Sequence, residues 1–321
     1  MRSFRFTALK LLVASSLALG LSPAQADYPL TVEHAQGSVT LEQAPKRVAV
    51  FDLATLDTLD ALGVEVTAVP EQVGPAHLKQ FQDEKYARVG TLFEPDYAAL
   101  QALQPDLIII AGRSRAAHDK LSELAPTVDL TTATSESFVE AVRGNLQLLG
   151  EIFDKEDRAE QLDSELQQAL AQVQQKTQGH SSLTLFTING RIATHAPGER
   201  FGMLYELFGT RSTAEASAAL PRGQQRPAPD SPEAKQLQAA QRAGLEKALA
   251  QQPDWLVVLD RGAATGGEGQ AQDTLANDEA VAASKAWQQG KVYYLEPATW
   301  YTATGGYQGL INTLKDFGDK L

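Results

Sequence analysis

The chain has no cysteine, which excludes disulfides, thiolate metal sites, iron–sulfur clusters and cysteine nucleophiles. Histidine is scarce: His34, His77, His118, His180 and His195 stand singly, and none follows His195. A zinc-transport site built on histidine therefore lacks ligands. A serine hydrolase fares no better, because there is no Gly-x-Ser-x-Gly elbow and no histidine base in the second half. Positive charge is short too: 28 Lys+Arg against 40 Asp+Glu give a net charge of −12. That balance argues against a broad nucleic-acid-binding surface. Beyond the N terminus, no run is long and apolar enough to span a bilayer core of about 30 Å, which takes about 20 apolar residues.

The remaining composition, 43% hydrophobic and 21% charged over 321 residues, is that of a globular chain with two domains or one large α/β domain. The first 26 residues read as a cleavable export signal. Arg2, Arg5 and Lys10 precede the short apolar run Leu11 to Leu21, and Ala24-Gln25-Ala26 forms a small-x-small cleavage site before Asp27. Cleavage after Ala26 removes those three positive charges, takes the net from −12 to −15, and predicts a soluble periplasmic protein. No cysteine at the cleavage site means no lipid anchor.

The rest divides at a long helical segment. Residues 27–153 are expected to form an N-terminal α/β lobe, 154–179 a helix between lobes, and 180–321 a C-terminal α/β lobe. Tyr28 to Leu41 alternates around Gly37 and predicts a hairpin. Arg47 to Phe51 predicts a buried strand, Leu56, Leu59 and Leu62 an amphipathic helix ending at Gly63, and Val64 to Val69 the next strand. Leu107 to Ile110 is apolar on both faces, as in a covered parallel sheet. Asp154 to Gln178 has no Gly or Pro, with Asp154 the expected start cap and Gly179 the end. Strands Leu183–Ile188, Trp255–Leu259 and Val292–Leu295, a helix at Met203–Phe208 and a last helix from Gly306 repeat the alternation. The Pro-rich stretch 221–232 and Gly262 to Gly269 read as loops, the latter lacking the Lys-Ser/Thr of a phosphate loop.

A weak internal repeat links the halves. Ala99 to Ile110 (ALQALQPDLIII) matches Lys247 to Val258 (KALAQQPDWLVV), and an arginine follows each Gln-Pro-Asp at the same distance, Arg113 and Arg261. In a doubly wound sheet, ligands bind off the carboxyl ends of the strands. Two arginines at such matched positions are expected to face one cleft.

These segments resemble the periplasmic binding proteins that deliver ferric siderophores to ABC importers, in the branch for catecholates of the enterobactin and petrobactin kind. The likeness runs through Pro45 to Val50, Val89-Gly90, Glu94-Pro95-Asp96, Pro105 to Ile110 with Gly112-Arg113, Arg200-Phe201-Gly202, Asp260-Arg261, Ala286-Trp287, Lys291-Val292-Tyr293 and Trp300-Tyr301. It implies two doubly wound α/β lobes joined by a single long helix, the class III binding-protein type. It further implies a non-enzymatic, monomeric carrier with no intrinsic cofactor, whose ligand is Fe(III) as an anionic siderophore complex and whose partner is an inner-membrane ABC permease. By the same resemblance Arg113, Arg200 and Arg261 form a basic triad around the ligand, and Tyr301 is a candidate direct Fe(III) ligand, while Trp300 packs the wall. Permease docking falls to Glu246 in the second lobe and to Glu94 in the first, where Ala98 occupies the equivalent position. One departure stands out: the histidine that partners the tyrosine in some relatives is missing from Ala214 to Gly244, which carries Arg222, Arg226 and Arg242 instead. His195 is the candidate substitute. Haem, cobalamin or a hydroxamate siderophore are the alternative ligands, and three arginines favour the more anionic catecholate.

Overall fold

The structure is a computed structural model that describes residues 28–132, 137–216, 227–228 and 231–321. The expected export signal 1–26, and with it the cleavage site after Ala26, lies outside the described residues, as do Arg222 and Arg226. No helix among the described residues is long and apolar enough to cross a membrane.

A hairpin of β1 (Leu30–His34) and β2 (Gly37–Leu41) opens the chain. The first lobe follows, with β3 (Val48–Val50), β4 (Ala68–Val69), β5 (Ala87–Arg88), β6 (Leu107–Ile110) and β7 (Thr127–Asp129). They form one parallel sheet in the order β5-β4-β3-β6-β7. The second lobe holds β8 (Ser181–Ile188), β9 (Arg191–His195), β10 (Arg211–Ser212), β11 (Trp255–Asp260) and β12 (Val292–Tyr294). Its order is β10-β8-β11-β12, all parallel, with β9 antiparallel on β8. In each sheet the chain winds outward one way and then the other. The switch points lie between β3 and β6, and between β8 and β11, where a doubly wound sheet opens its binding crevice.

The bridging helix spans Glu156–Lys176 and at 1.5 Å per residue is about 31 Å long. It starts two residues later than its sequence predicts. Asp154 takes a left-handed φ of 53° and the Lys155 N–H donates to the Gly150 carbonyl at 2.8 Å. Asp154 thus ends the preceding helix Phe138–Ile152 in a Schellman-type turn, instead of capping the next one. The far end also stops early, at Lys176, with Thr177 as its cap and its hydroxyl bonded to the carbonyls of Val173 and Phe208. Val64 to Val69 likewise forms less strand than expected. Val64 is used to close the helix Leu53–Leu62, its N–H on the Leu59 carbonyl, and the strand-to-strand bonds begin only at Thr67, whose N–H donates to the Val48 carbonyl at 2.9 Å, before Ala68–Val69.

The lobes share one apolar core. Val48, Leu56 and Leu107 of the first, Leu162 and Leu166 of the bridging helix, and Phe208, Trp255 and Leu259 of the second belong to one continuous cluster. The C-terminal helix Tyr307–Lys320 seals it, packing on both the bridging helix and the helix Leu53–Leu62. Its N-terminus is held by Asp57, which is fully buried and accepts from the backbone N–H groups of Gln308 at 2.6 Å and Gly309 at 3.0 Å. His77 completes the lock, with Nε2 2.6 Å from Asp57 Oδ2. Gly306 is required at this seam, since a Cβ there would stand 2.6 Å from the Asp57 carboxyl carbon.

Two outcomes are expected from this lock. Asp57→Ala strands two helix N-terminal donors in the core and should cost about 3 kcal/mol in urea unfolding. His77 is raised above its ordinary 6.5 by its hydrogen bond to Asp57 and the nearby charges of Asp57, Glu296 and Asp60, against the lowering effect of burial. Its stabilising contribution is therefore complete below the unfolded value and fades as pH rises through the folded one. Urea midpoints measured at about pH 6 and about pH 9 should diverge less in His77→Gln than in the wild type.

Candidate functional site

Each predicted arginine reaches the cleft by a local device. Arg113 sits in the turn after β6, where the buried Ser114 hydroxyl donates to the Ala111 carbonyl at 3.0 Å and fixes the turn. Arg261 begins the short helix Arg261–Ala264. Asp260 caps that helix by accepting from the N–H groups of Gly262 and Ala263, and it also holds those of Gln270 and Ala271. What reads as a flexible loop from Gly262 thus starts with a helical turn tied to one carboxylate. Arg200 rides on a tight turn anchored by the buried Phe201. Gly202 is obligatory there, because a Cβ would lie 2.1 Å from the Ala196 carbonyl oxygen. Arg113 and Arg261 therefore project from the two topological switch points, as the internal repeat predicts.

Tyr301 lies in the helix Pro297–Thr302. Glu296 caps that helix, and Trp300 pins it, fully buried with Nε1 donating to Thr313 Oγ1 at 2.9 Å. The helix follows the last strand of the second lobe, packs on that lobe, and meets the first at its C-terminal end. Arg113 donates to the backbone carbonyls of Tyr301 and of Thr302, the latter at 3.3 Å. From the other side, Arg261 Nε donates to the Tyr301 hydroxyl at 3.1 Å. The guanidinium carbons of Arg200, Arg261 and Arg113 stand 4.7, 5.7 and 5.8 Å from the centre of the Tyr301 ring. All three cations surround one phenol.

The electrostatics follow from that convergence. Burial acts to raise the Tyr301 pKa, but the Arg261 hydrogen bond and the charges of Arg200 and Arg261 outweigh it and hold the phenol below its ordinary 10.0. Burial and the like charge of Arg200 bring Arg113 below its ordinary value, with Asp52 and Tyr301 acting in the opposite sense. Beneath the ring lies a cavity of about 280 Å³ lined by Phe186, Ile188, Asn189, Arg200, Arg261 and Tyr301. Its polar groups are two guanidiniums, one amide and a phenol, and Phe186 and Ile188 complete its wall. Such a site suits a flat, delocalised anion.

Phe186, Ile188 and Asn189 escaped the sequence reading, and so did the hairpin from β8 to β9 that carries them. The signal was present in Asn189-Gly190, whose left-handed φ values of 49° and 69° form the two-residue turn. Phe186 stacks on Tyr301 with ring centres 6.3 Å apart. His195 does not join the cluster: its ring packs edge-on against Phe201 and Phe186, at 5.2 and 5.9 Å. Burial and the charge of Arg200 keep it below its ordinary pKa, with Glu199 opposing. The acidic candidates stand outside the cleft. Glu246, on the helix Pro232–Ala250, pairs with Arg242 at 2.7 Å, and Glu94 is exposed in the loop after β5.

The family model described as periplasmic binding protein matches residues 48–299. Among relatives, the petrobactin-binding protein YclQ of Bacillus subtilis is 32% identical over 298 residues, covering 91% of this chain and 88% of its own. The ferric-anguibactin-binding protein FatB of Vibrio anguillarum is 26% identical over 294 residues, covering 90% and 86%. The crystal structure of YclQ superposes with a TM-score of 0.78 at 31% identity, over 90% of this chain and 97% of that one. That of the periplasmic catecholate-siderophore binding protein VctP from Vibrio cholerae gives 0.75 at 27%, over 89% and 99%. With two doubly wound lobes, one bridging helix and a cleft at both switch points, the chain belongs to the periplasmic binding protein family.

Proposed function

We propose that this protein captures an anionic ferric catecholate siderophore between its lobes and hands it to an inner-membrane ABC permease for iron uptake. The observation that carries the reading is the convergence of Arg113, Arg200 and Arg261 on Tyr301 at the seam between lobes. A ferric catecholate spreads several negative charges over phenolate oxygens and flat rings. Permanent, planar guanidinium groups match both its charge and its shape. On a chain of net charge −12 this cluster is a local positive focus that draws in such an anion. Similarity to YclQ and VctP supports the same ligand class.

Tyr301 has two roles in this reading. Its ring packs among the guanidiniums, and its phenolate oxygen is a hard donor that can take an Fe(III) position left empty by a tetradentate siderophore. The arginines make that step easier by favouring the ionised phenol. His195, packed between aromatic rings, takes no part, so the protein side of the iron site rests on Tyr301 alone. Export to the periplasm and cleavage after Ala26 belong to the same reading, as do the lobe limits 27–153 and 180–321. Docking on the permease uses Glu246 on the second lobe and Glu94 on the first. Glu246 must exchange Arg242 for a cation of the permease. The shared core and the Asp57 lock support a small hinge movement on closure.

Intrinsic fluorescence tests the ligand class, with Trp300 next to Tyr301 as reporter. Ferric complexes of a tetradentate bis-catecholate and a hexadentate tris-catecholate should quench at submicromolar concentration and a ferric hydroxamate should not. Arg113→Ala and Arg261→Ala should each weaken catecholate binding at least about tenfold, the loss expected for a hydrogen bond to a charged group. Binding of the hydroxamate alone, or neutral effects of both substitutions, would overturn the reading.

Tyr301 is also expected to be the first of the perturbed tyrosines to ionise as pH rises, since Tyr28, Tyr293, Tyr294 and Tyr307 are all pushed upward, chiefly by burial. Absorbance titration near 295 nm should show a phenolate step below pH 10 that disappears in Tyr301→Phe and moves upward in Arg200→Ala.

A further inference from the structure

The internal repeat extends further than its two arginines. Asp106, of the first Gln-Pro-Asp, donates its N–H to the Arg47 carbonyl at 2.9 Å and accepts the Arg47 N–H at 2.8 Å. Asp254, of the second, makes the same pair of bonds with Ser181, at 3.0 and 2.8 Å. These ties make Arg47, at the start of β3, the equivalent of Ser181, at the start of β8. Register carries the match onward, with Val50 opposite Ile109 in one sheet and Thr184 opposite Val257 in the other. Two residues later stand Asp52 and Phe186. Phe186 lines the cavity under Tyr301 together with Arg261. Asp52 holds the matching place at the first switch point, on the strand next to the one that leads to Arg113.

This carboxylate is partly buried and caps the helix Leu53–Leu62. Its Oδ2 accepts the Thr55 N–H at 2.8 Å and the Thr55 hydroxyl at 2.9 Å. Burial raises its pKa, opposed by the bonds from Thr55, the charge of Arg113 and the Ala54 N–H. Asp52 in turn supports the charge of Arg113. Arg113 nevertheless gives its hydrogen bonds to the carbonyls of Tyr301 and Thr302, so none of them covers Asp52. Asp260, the carboxylate next to Arg261, is by contrast held by four backbone N–H groups.

We propose that Asp52 is a specificity-determining residue of the cleft, a fixed counter-charge that favours a singly charged ferric bis-catecholate over a triply charged ferric tris-catecholate. Fe(III) held by two doubly ionised catechols keeps one negative charge, and held by three it keeps three. A fixed negative charge opposes an incoming ion in proportion to that ion's charge. The guanidiniums attract both complexes, and Asp52 weakens the attraction more for the one that carries more charge. The inference rests on the reading of the Arg-lined cleft as a ferric catecholate site and adds a preference within that class.

Asparagine caps a helix as well as aspartate does, so Asp52→Asn removes the charge and keeps the cap. In fluorescence titrations at about pH 8.5, the variant should bind the ferric bis-catecholate about threefold more tightly than the wild type does. For the tris-catecholate the gain should be about thirtyfold, the cube of the first, because the energy is linear in charge. The Asp52 carboxyl is raised, so its charge is complete above the folded pKa and is lost as pH falls through it. The ratio of variant to wild-type affinity for the tris-catecholate should therefore shrink by about pH 6. A thermal midpoint equal to or above that of the wild type shows that the cap survives, and Asp52→Ser, which also caps, replaces the variant otherwise. Equal gains for the two complexes, no gain, or weaker binding of either overturns the counter-charge while leaving the catecholate cleft intact. Failure of both complexes to bind the wild type overturns the cleft reading instead. Perchlorate and pyrophosphate then serve as singly and multiply charged probes, followed through the amide shifts of Arg113 and Arg261. A larger gain for pyrophosphate than for perchlorate in Asp52→Asn upholds the counter-charge, and equal affinities or no shifts overturn it.

Discussion

The arrangement depends on one tyrosine held from both sides. The first lobe grips the backbone of Tyr301 through Arg113, and the second grips its hydroxyl through Arg261. Three guanidiniums so close together repel one another, and each is denied part of its hydration. They are tolerable because backbone carbonyls, an aromatic face and a readily ionised phenol supply negative potential where the cations meet. The same imbalance makes the cleft receptive. On the proposed reading an incoming polyanion brings far more negative charge than a single phenol does, and its binding relieves a repulsion already present.

Rigidity around the cleft has a separate origin. One apolar cluster runs through both lobes and the bridging helix, and it cannot be parted without exposing Leu, Phe and Trp side chains to water. Asp57 adds a polar clasp at the same seam, satisfying the otherwise orphaned N–H groups at the start of the C-terminal helix. A carrier built this way presents a nearly preformed site, so little of its binding free energy is spent on ordering the protein.

Much of this was legible beforehand. Apolar runs such as Leu107 to Ile110 marked the covered parallel strands, and the Gln-Pro-Asp repeat placed Arg113 and Arg261 at equivalent strand ends. The two-residue strands β5 and β10 escaped because so short a piece has no periodicity to read. Asp154 was misread because an Asp before a helical run signals a cap only when the chain ahead of it is free. Here it closes one helix and turns into the next.

The amino-acid sequence by itself determined the fold class, the pairing of the lobes and the identity of the cationic residues. These follow from local patterns, namely hydrophobic period, turn residues and a repeat within the chain. Only the tertiary structure decided that Tyr301 sits on a helix whose carbonyls are gripped by Arg113 of the other lobe, and that the His195 ring packs against Phe186 and Phe201. The first joins residues 188 positions apart in the chain. Their meeting is set by how two sheets and the helices around them pack on a common core, and no local pattern encodes that.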